Sequence, residues 1–569
     1  MANAFPGTAQ EFMKRSWPEI EPFYNELQSV GLTIHNVDAW LTGWTRLSEL
    51  VSETQQRLYV ATTIDTTNKQ AGQRLFDFLE HVFPFVEAAE QQLRQKLLAS
   101  HLEPRGFEVP LRNMRTQASL FRQSNLSLLT EEHKLENEYD RIIGAQSVSW
   151  EDHEATLTRL RPVYQNADRG LREKAWRLAA SRQLADRAAL NDLWIRYLKL
   201  RRQLAANVGY PDYRAFRWQQ LLRCDYTPED CAHFHDAIEQ VVVPAAERLY
   251  ERRRRRLGLS RLRPWDMDVD PTGRPALRPF TTLAAFEDGV QSIFQRVDPQ
   301  LGDYFAIMRR ENLLDLDNYK GKAPGGFCTQ FAVVKRPFIF MNAVGVQDDV
   351  QTLLHEGGHS FHVFESAHLP YAQQLDVGME FSEVASMAME LLGTRYLAAS
   401  EGGFYSASDA KRAVAQHLES IITFWPYMAV VDAFQHWAYQ HDYEATQPAK
   451  CDAVWDTLWK RFMRGVDWSG LEQEEMTGWQ RKEHIFQWPF YYVEYGMAQL
   501  GAVQVWRNAL RDQAQAVRQY RHALSLGGTV PLPQLYASAG AAFRFDTGIL
   551  QEAVSLIESK LSELEVGEL

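Results

Sequence analysis

The chain has 569 residues, 45% of them hydrophobic and 12% aromatic, with a formal net charge of −12. That composition suits a large packed protein and excludes a disordered one, and the acidic balance argues against general affinity for nucleic acid or an anionic membrane. Four cysteines (Cys224, Cys231, Cys328 and Cys451) in so long a chain do not form a disulfide framework and point to a reducing compartment.

Taken in order, the first ten residues lack a basic segment followed by an apolar core, and no apolar run is long enough to span a bilayer. The expectation is a soluble, cytoplasmic protein with no membrane partner. Residues 8 to about 220 carry mainly helical patterns; Leu75, Phe78, Leu79, Val82 and Val86 give one amphipathic face. A short strand pair fits between Asp140 and Trp150. We divide the chain into a helical N-terminal region, 1–160, and a larger region, 161–569, that carries the chemistry.

The run Arg252 to Arg256 follows an apparent helix and precedes Gly258, so its cations sit at a helix C-terminus where the dipole favours them. A polyanion site is the lesser reading. The stretch Lys320 to Phe327, rich in glycine, predicts a turn or mobile loop, and it is not a phosphate-binding loop because no Gly-Lys-Ser/Thr ends it. Phe331 to Met341 reads as a strand, with Pro337 demoting part of it to an edge.

Next comes His355-Glu356-Gly357-Gly358-His359, the pattern His-Glu-x-x-His. Asp348 with Gln351 predicts a capping box, and Val350, Leu353, Leu354 and Phe361 supply an apolar stripe at helical spacing. On a helix His355 and His359 share one face and can close on a single zinc ion, with Glu356 beside it. The adjacent glycines cost about 1 kcal/mol each relative to alanine, which predicts a close approach to the backbone there. Glu365 stays on the helix, turned away from His359, and makes a poor third ligand. His362 lies too far along the axis from His355 to share the ion, and reads as a neighbour of the site or a substrate-facing group.

The third ligand therefore falls to a second helix, Gly378 to Leu392. There Glu380, Glu383 and Glu390 share a face amid apolar residues, where unpaired carboxylates are costly. Glu383 is preferred and Glu380 is the alternative; two histidines and a glutamate make an open catalytic zinc site. Further on, His484 precedes Pro489-Phe490-Tyr491-Tyr492-Val493-Glu494-Tyr495. With Pro489 as the first helical residue, Tyr492 and Tyr495 share one face, and taken alone a tyrosine-rich helix serves packing.

The spacing from His-Glu-Gly-Gly-His to Glu383 within Phe-Ser-Glu-Val-Ala-Ser-Met resembles the M3 family of zinc metallopeptidases. The segments Gly-Lys-Ala-Pro-Gly-Gly-Phe and Pro-Phe-Tyr-Tyr-Val-Glu-Tyr resemble its oligoendopeptidase F branch. The motifs lie between about Arg263 and Ala502; the helical first half matches loosely. The resemblance implies a mainly α fold with a zincin-type (gluzincin) catalytic region, a small β element, and helices enclosing a deep substrate channel, residues 1–160 forming part of its wall. It also implies one zinc per chain on His355, His359 and Glu383, with Glu356 as general base. His484, Tyr492 and Tyr495 would donate to the intermediate, with either Tyr491 or Tyr492 fitting the register. Substrates would be short unstructured peptides cut at internal bonds, an edge strand ahead of the motif helix binding them through its backbone.

Two other readings remain open. A zinc carboxypeptidase needs a fixed cation for the substrate carboxylate, for which Arg336 and Arg395 are available. A helical scaffold with a structural zinc site fits poorly, since such sites are closed by four ligands, often including cysteine.

Overall fold

The computed structural model describes residues 5–319, 321–323 and 325–566. The described residues are mainly helical, with five short strands among them: β1 (Ser147–Trp150), β2 (His153–Thr156), β3 (Leu314–Asp317), β4 (Phe327–Phe331) and β5 (Arg336–Ala343). Two compact units are each assembled from three stretches of chain. The first comprises Met1–Ser119, Leu277–Ala413 and Ala498–Phe543; the second comprises Leu120–Ala276, Val414–Met497 and Arg544–Leu569. The boundary at residue 160 expected from the sequence differs from this division, in which the first N-terminal stretch ends at Ser119.

In the first unit the long helix Val37–Ile64 buries Trp40, Leu41, Trp44, Leu47 and Leu50 in its core. The amphipathic face expected from Leu75 to Val86 is broken. Helix Lys69–His81 ends at Val82 and a new one runs Phe83–Ala99, with Pro84 in its first turn, where a missing N–H costs nothing.

Strands β3, β5 and β4 form one sheet in that order, β3 parallel and β4 antiparallel to β5. This corrects the strand expected over Phe331 to Met341. A turn at residues 332–335, with Lys335 at φ 52°, folds the run into a hairpin. Pro337 lies in the central strand, opposite Gln330, and the edge beside it is β4.

The glycine-rich segment before β4 is anchored at its described residues; Lys320 and Pro324 lie outside them. The Lys322 side chain is wholly buried and donates to the Asp315 carboxylate at 2.7 Å and to the carbonyls of Asp315, Asp317 and Met341 at 3.0, 2.7 and 2.7 Å. Thr66 N–H donates to Gly321 O and Ala323 N–H to Thr63 O, tying the segment to the end of the long helix.

In the second unit β1 and β2 pair through a two-residue turn in which Glu151 and Asp152 both adopt positive φ. The arginine run closes helix Val243–Arg256. Arg252 pairs with Glu419 and Glu565, Arg254 and Arg255 with Glu251, and Arg256 with Glu565. Carboxylates of the same unit thus pair with four of the five arginines, and Arg253 donates to the backbone carbonyls of Asp266 and Val269. Among the described residues no helix is long and apolar enough to cross a membrane.

Candidate metal centre

The motif lies on helix Gln347–Ser366, directly after β5. Its start is capped by Asp349, whose Oδ2 accepts from the N–H groups of Val344, Gly345 and Val346 at 2.8, 2.7 and 2.9 Å. The box expected between Asp348 and Gln351 is displaced because the helix begins two residues earlier, with Val346 at its N-cap. Both glycines are required by their neighbours. A Cβ on Gly357 would sit 2.4 Å from the Phe294 ring, and one on Gly358 would sit 2.3 Å from the Ala385 carbonyl oxygen. The second contact matters most, because Ala385 lies on helix Met379–Gly393, which carries Glu383. Bare backbone at Gly358 lets that helix approach.

The approach brings three donors together. Glu383 Oε2 stands 3.3 Å from His355 Nε2 and 3.6 Å from His359 Nε2. A tetrahedral ion with bonds near 2.1 Å sets its ligand atoms about 3.4 Å apart, so the spacing fits zinc. Among the described residues this trio is one of two clusters with metal-ligand spacing. Glu380 is not in either. Burial alone would raise the Glu383 carboxyl, but the His355 hydrogen bond, the nearby His359 ring and Ser386, whose Oγ donates at 3.0 Å, hold it at about 2.

A partner not assigned from the sequence completes the arrangement. His355 Nδ1 donates to Glu390 Oε1 at 2.7 Å, which orients the ring and turns Nε2 towards Glu383. The signal was present in the i, i+7 spacing of Glu383 and Glu390, but nothing in the sequence said which histidine Glu390 would meet. Burial disfavours charge on His355; the two carboxylates outweigh it and push its pKa well above the ordinary value. The site calls for positive charge at this point.

Glu356 is buried, and that burial raises its carboxyl to about 7, with the Glu383 and Glu390 charges adding to the rise and His355 opposing it. A carboxyl so placed can exchange a proton near neutral pH. His362 is buried with its ring 6.2 Å from that of Phe381, and its Nε2 has no hydrogen-bond partner among the described residues. Arg336 is engaged by the Glu311 carboxylate at 2.8 and 3.3 Å, whereas Arg395 is exposed.

The other expected residues belong to the second unit. His484 lies on the short helix Glu483–Phe486, with its ring 6.0, 4.9 and 6.0 Å from those of Tyr491, Tyr492 and Tyr495. The tyrosine helix begins at Tyr492, three residues later than expected. Phe490 adopts φ 66°, with its N–H donating to Gln435 and its carbonyl accepting from Arg223, so Pro489 stays outside the helix. Burial, reinforced by the Lys482 charge, lowers His484 to about 3, so its ring is neutral, and its Nδ1 has no partner among the described residues. Lys482, not singled out in the sequence, places its ammonium 3.8 Å from the centre of the Tyr492 ring.

The sequence profile of peptidase family M3 matches residues 163–555. The chain belongs to peptidase family M3. Curated relatives of this M3 family member include an oligoendopeptidase F homologue of Lactococcus lactis subsp. lactis, 22% identical over 61% of this chain and 56% of its own length. Another, from Borreliella burgdorferi, is 22% identical over 57% and 54%. The match thus spans about half the length of these curated relatives. Solved structures extend the likeness across the chain. One provisionally named an oligoendopeptidase F has a TM-score of 0.88 at 28% identity, covering 98% of both chains. A PZ peptidase A solved with an inhibitor has a TM-score of 0.87 at 27% identity, covering 99% of both.

Proposed function

We propose that this M3 peptidase is a zinc-dependent endopeptidase that hydrolyses internal bonds of short unstructured peptides. The observation that carries the reading is the His355–His359–Glu383 trio at tetrahedral spacing, with the buried Glu356 carboxyl beside it. The names of the similar proteins supply the substrate class. The catalytic region is taken as 161–569, which encloses the family match.

A zinc ion on His355, His359 and Glu383 would polarise the scissile carbonyl and acidify a water molecule. The chain's own groups do the rest. Glu356 accepts the water's proton and returns it to the leaving amine, a role that its raised pKa suits. Glu390 holds the His355 ring in the tautomer that presents Nε2. His484, Tyr492 and Tyr495 donate to the oxygen that gains charge as the carbonyl is attacked; a single such donor is typically worth about 2.7–4 kcal/mol. The neutral His484 ring and its partnerless Nδ1 support that role.

Mapping products by mass tests the substrate reading against the carboxypeptidase. A short peptide blocked at both ends is offered beside the same peptide with a free C-terminus. Internal cuts in both are expected; trimming of only the free C-terminus would overturn the endopeptidase in favour of the carboxypeptidase.

A further inference from the structure

The second unit contains another convergence of metal-ligating groups, independent of the zinc trio. Helix Pro228–Ala237 presents Cys231 and His235 four residues apart, and helix Ala407–Gln440 presents Asp432 and His436 at the same spacing. That separation puts each pair on one helix face. The two faces meet: Cys231, Asp432 and His436 each offer one donor atom, all within 4.8 Å of one another. His235 Nε2 lies 2.9 Å from Asp432 Oδ2, and His436 Nε2 lies 3.3 Å from the same oxygen.

The electrostatics of the cluster call for a cation. Asp432 is wholly buried, and its Oδ1 has no hydrogen-bond partner among the described residues. The neighbouring His436 Nε2 satisfies no hydrogen-bond geometry either. A buried carboxylate with one bare oxygen is costly, and a bound ion would satisfy both atoms at once. Aromatic rings surround the imidazoles, Phe490 and Trp218 at 5.1 and 6.0 Å from His436 and Phe462 at 6.4 Å from His235, making the apolar shell usual around metal centres.

We propose that Cys231, Asp432 and His436, with His235 holding the Asp432 carboxylate by a hydrogen bond, bind a second metal ion of the zinc class. A thiolate beside imidazoles selects zinc over magnesium or calcium. The three donors come from two helices, which the ion would tie together. Binding displaces the Cys231 thiol proton and any ring proton on His436 Nε2 to solvent. The competing arrangement is metal-free. Arg214 Nη1 lies 3.4 Å from His436 Nδ1; if it holds that nitrogen as an acceptor, Nε2 keeps its proton and Asp432 accepts from both imidazoles.

Titrating cobalt into the metal-stripped full-length protein separates the two. Only the second cluster contains a cysteine, so thiolate-to-cobalt charge-transfer absorption reports it alone. The protein is expected to bind two cobalt ions per chain with that band present. A His355→Ala/His359→Ala variant should retain one ion and the band, and Cys231→Ser should lose the band while keeping the other ion. One ion per chain without the band would overturn the proposal, as would a band that survives Cys231→Ser. If Cys231→Ser fails to fold, the unaltered protein still decides through its cobalt count and band.

Discussion

The Glu390 carboxylate accepts the Nδ1–H of His355 at 2.7 Å, on the side of the ring opposite the nitrogen that faces Glu383. A hydrogen bond of this kind fixes a metal-binding ring in place and raises its basicity, and losing one typically costs about 10–100-fold in metal affinity. Glu390→Ala is therefore expected to lower zinc affinity by that order. Glu390→Gln, which retains an acceptor, should lose less. Competition against a graded series of chelators measures both.

Glu356→Gln keeps the size of the side chain and removes its capacity to take a proton. The variant is expected to retain full metal content while turnover falls by about 10²–10⁴-fold. Metal analysis alongside steady-state kinetics checks it. Unchanged turnover would remove Glu356 as the base.

Gly358→Ala would drive a methyl group against the Ala385 carbonyl and push the helix carrying Glu383 away from the two histidines. Overpacking of this type costs roughly 1–3 kcal/mol. The expected result is a lower melting temperature together with weakened zinc binding. Gly357→Ala presses on the Phe294 ring instead, which should lower stability with less effect on the metal.

Lys322→Met should be among the most damaging single changes outside the site. It removes a buried ammonium that serves one carboxylate and three carbonyls and leaves the Asp315 charge unpaired. Breaking such a pair costs about 3–5 kcal/mol, and denaturant unfolding reads that loss directly.

Tyr492→Phe and Tyr491→Phe compare the two tyrosines whose rings both approach His484. If Tyr492 is the donor, its variant should lose about 10²–10³-fold in kcat with little change in KM, and Tyr491→Phe should lose far less. The reverse pattern would assign the role to Tyr491.

Much of the site could be read from local periodicity. Four-residue spacing puts His355 and His359 on one face, and the glycine pair announces the close helix contact that Gly358 makes. Glu383 could be preferred because carboxylates amid apolar helix residues need a partner. What the sequence hid depends on tertiary encounter. Asp349, not Asp348, caps the motif helix because Val344 to Val346 fold back onto it. Pro489 suits a first helical position by local rules, and nothing local foretells the positive φ of Phe490, held by Gln435 and Arg223 from distant segments. Pro337 suggested an edge, yet β5 is central, since β3 lies on one side of it and β4 on the other. Cys231, His235, Asp432 and His436 lie on helices far apart in sequence, so no motif search could join them.

The central claim is that His355, His359 and Glu383 hold the zinc on which peptide cleavage depends. Its most direct test is the initial rate on one end-blocked, internally quenched peptide, measured before chelation, after it, and after zinc is restored, in the unaltered protein and in Glu383→Ala. The account predicts loss on chelation, recovery with zinc, and no recovery in Glu383→Ala at the zinc concentration that restores the unaltered protein. Cleavage that survives complete removal of the metal, or full recovery in Glu383→Ala, would contradict it.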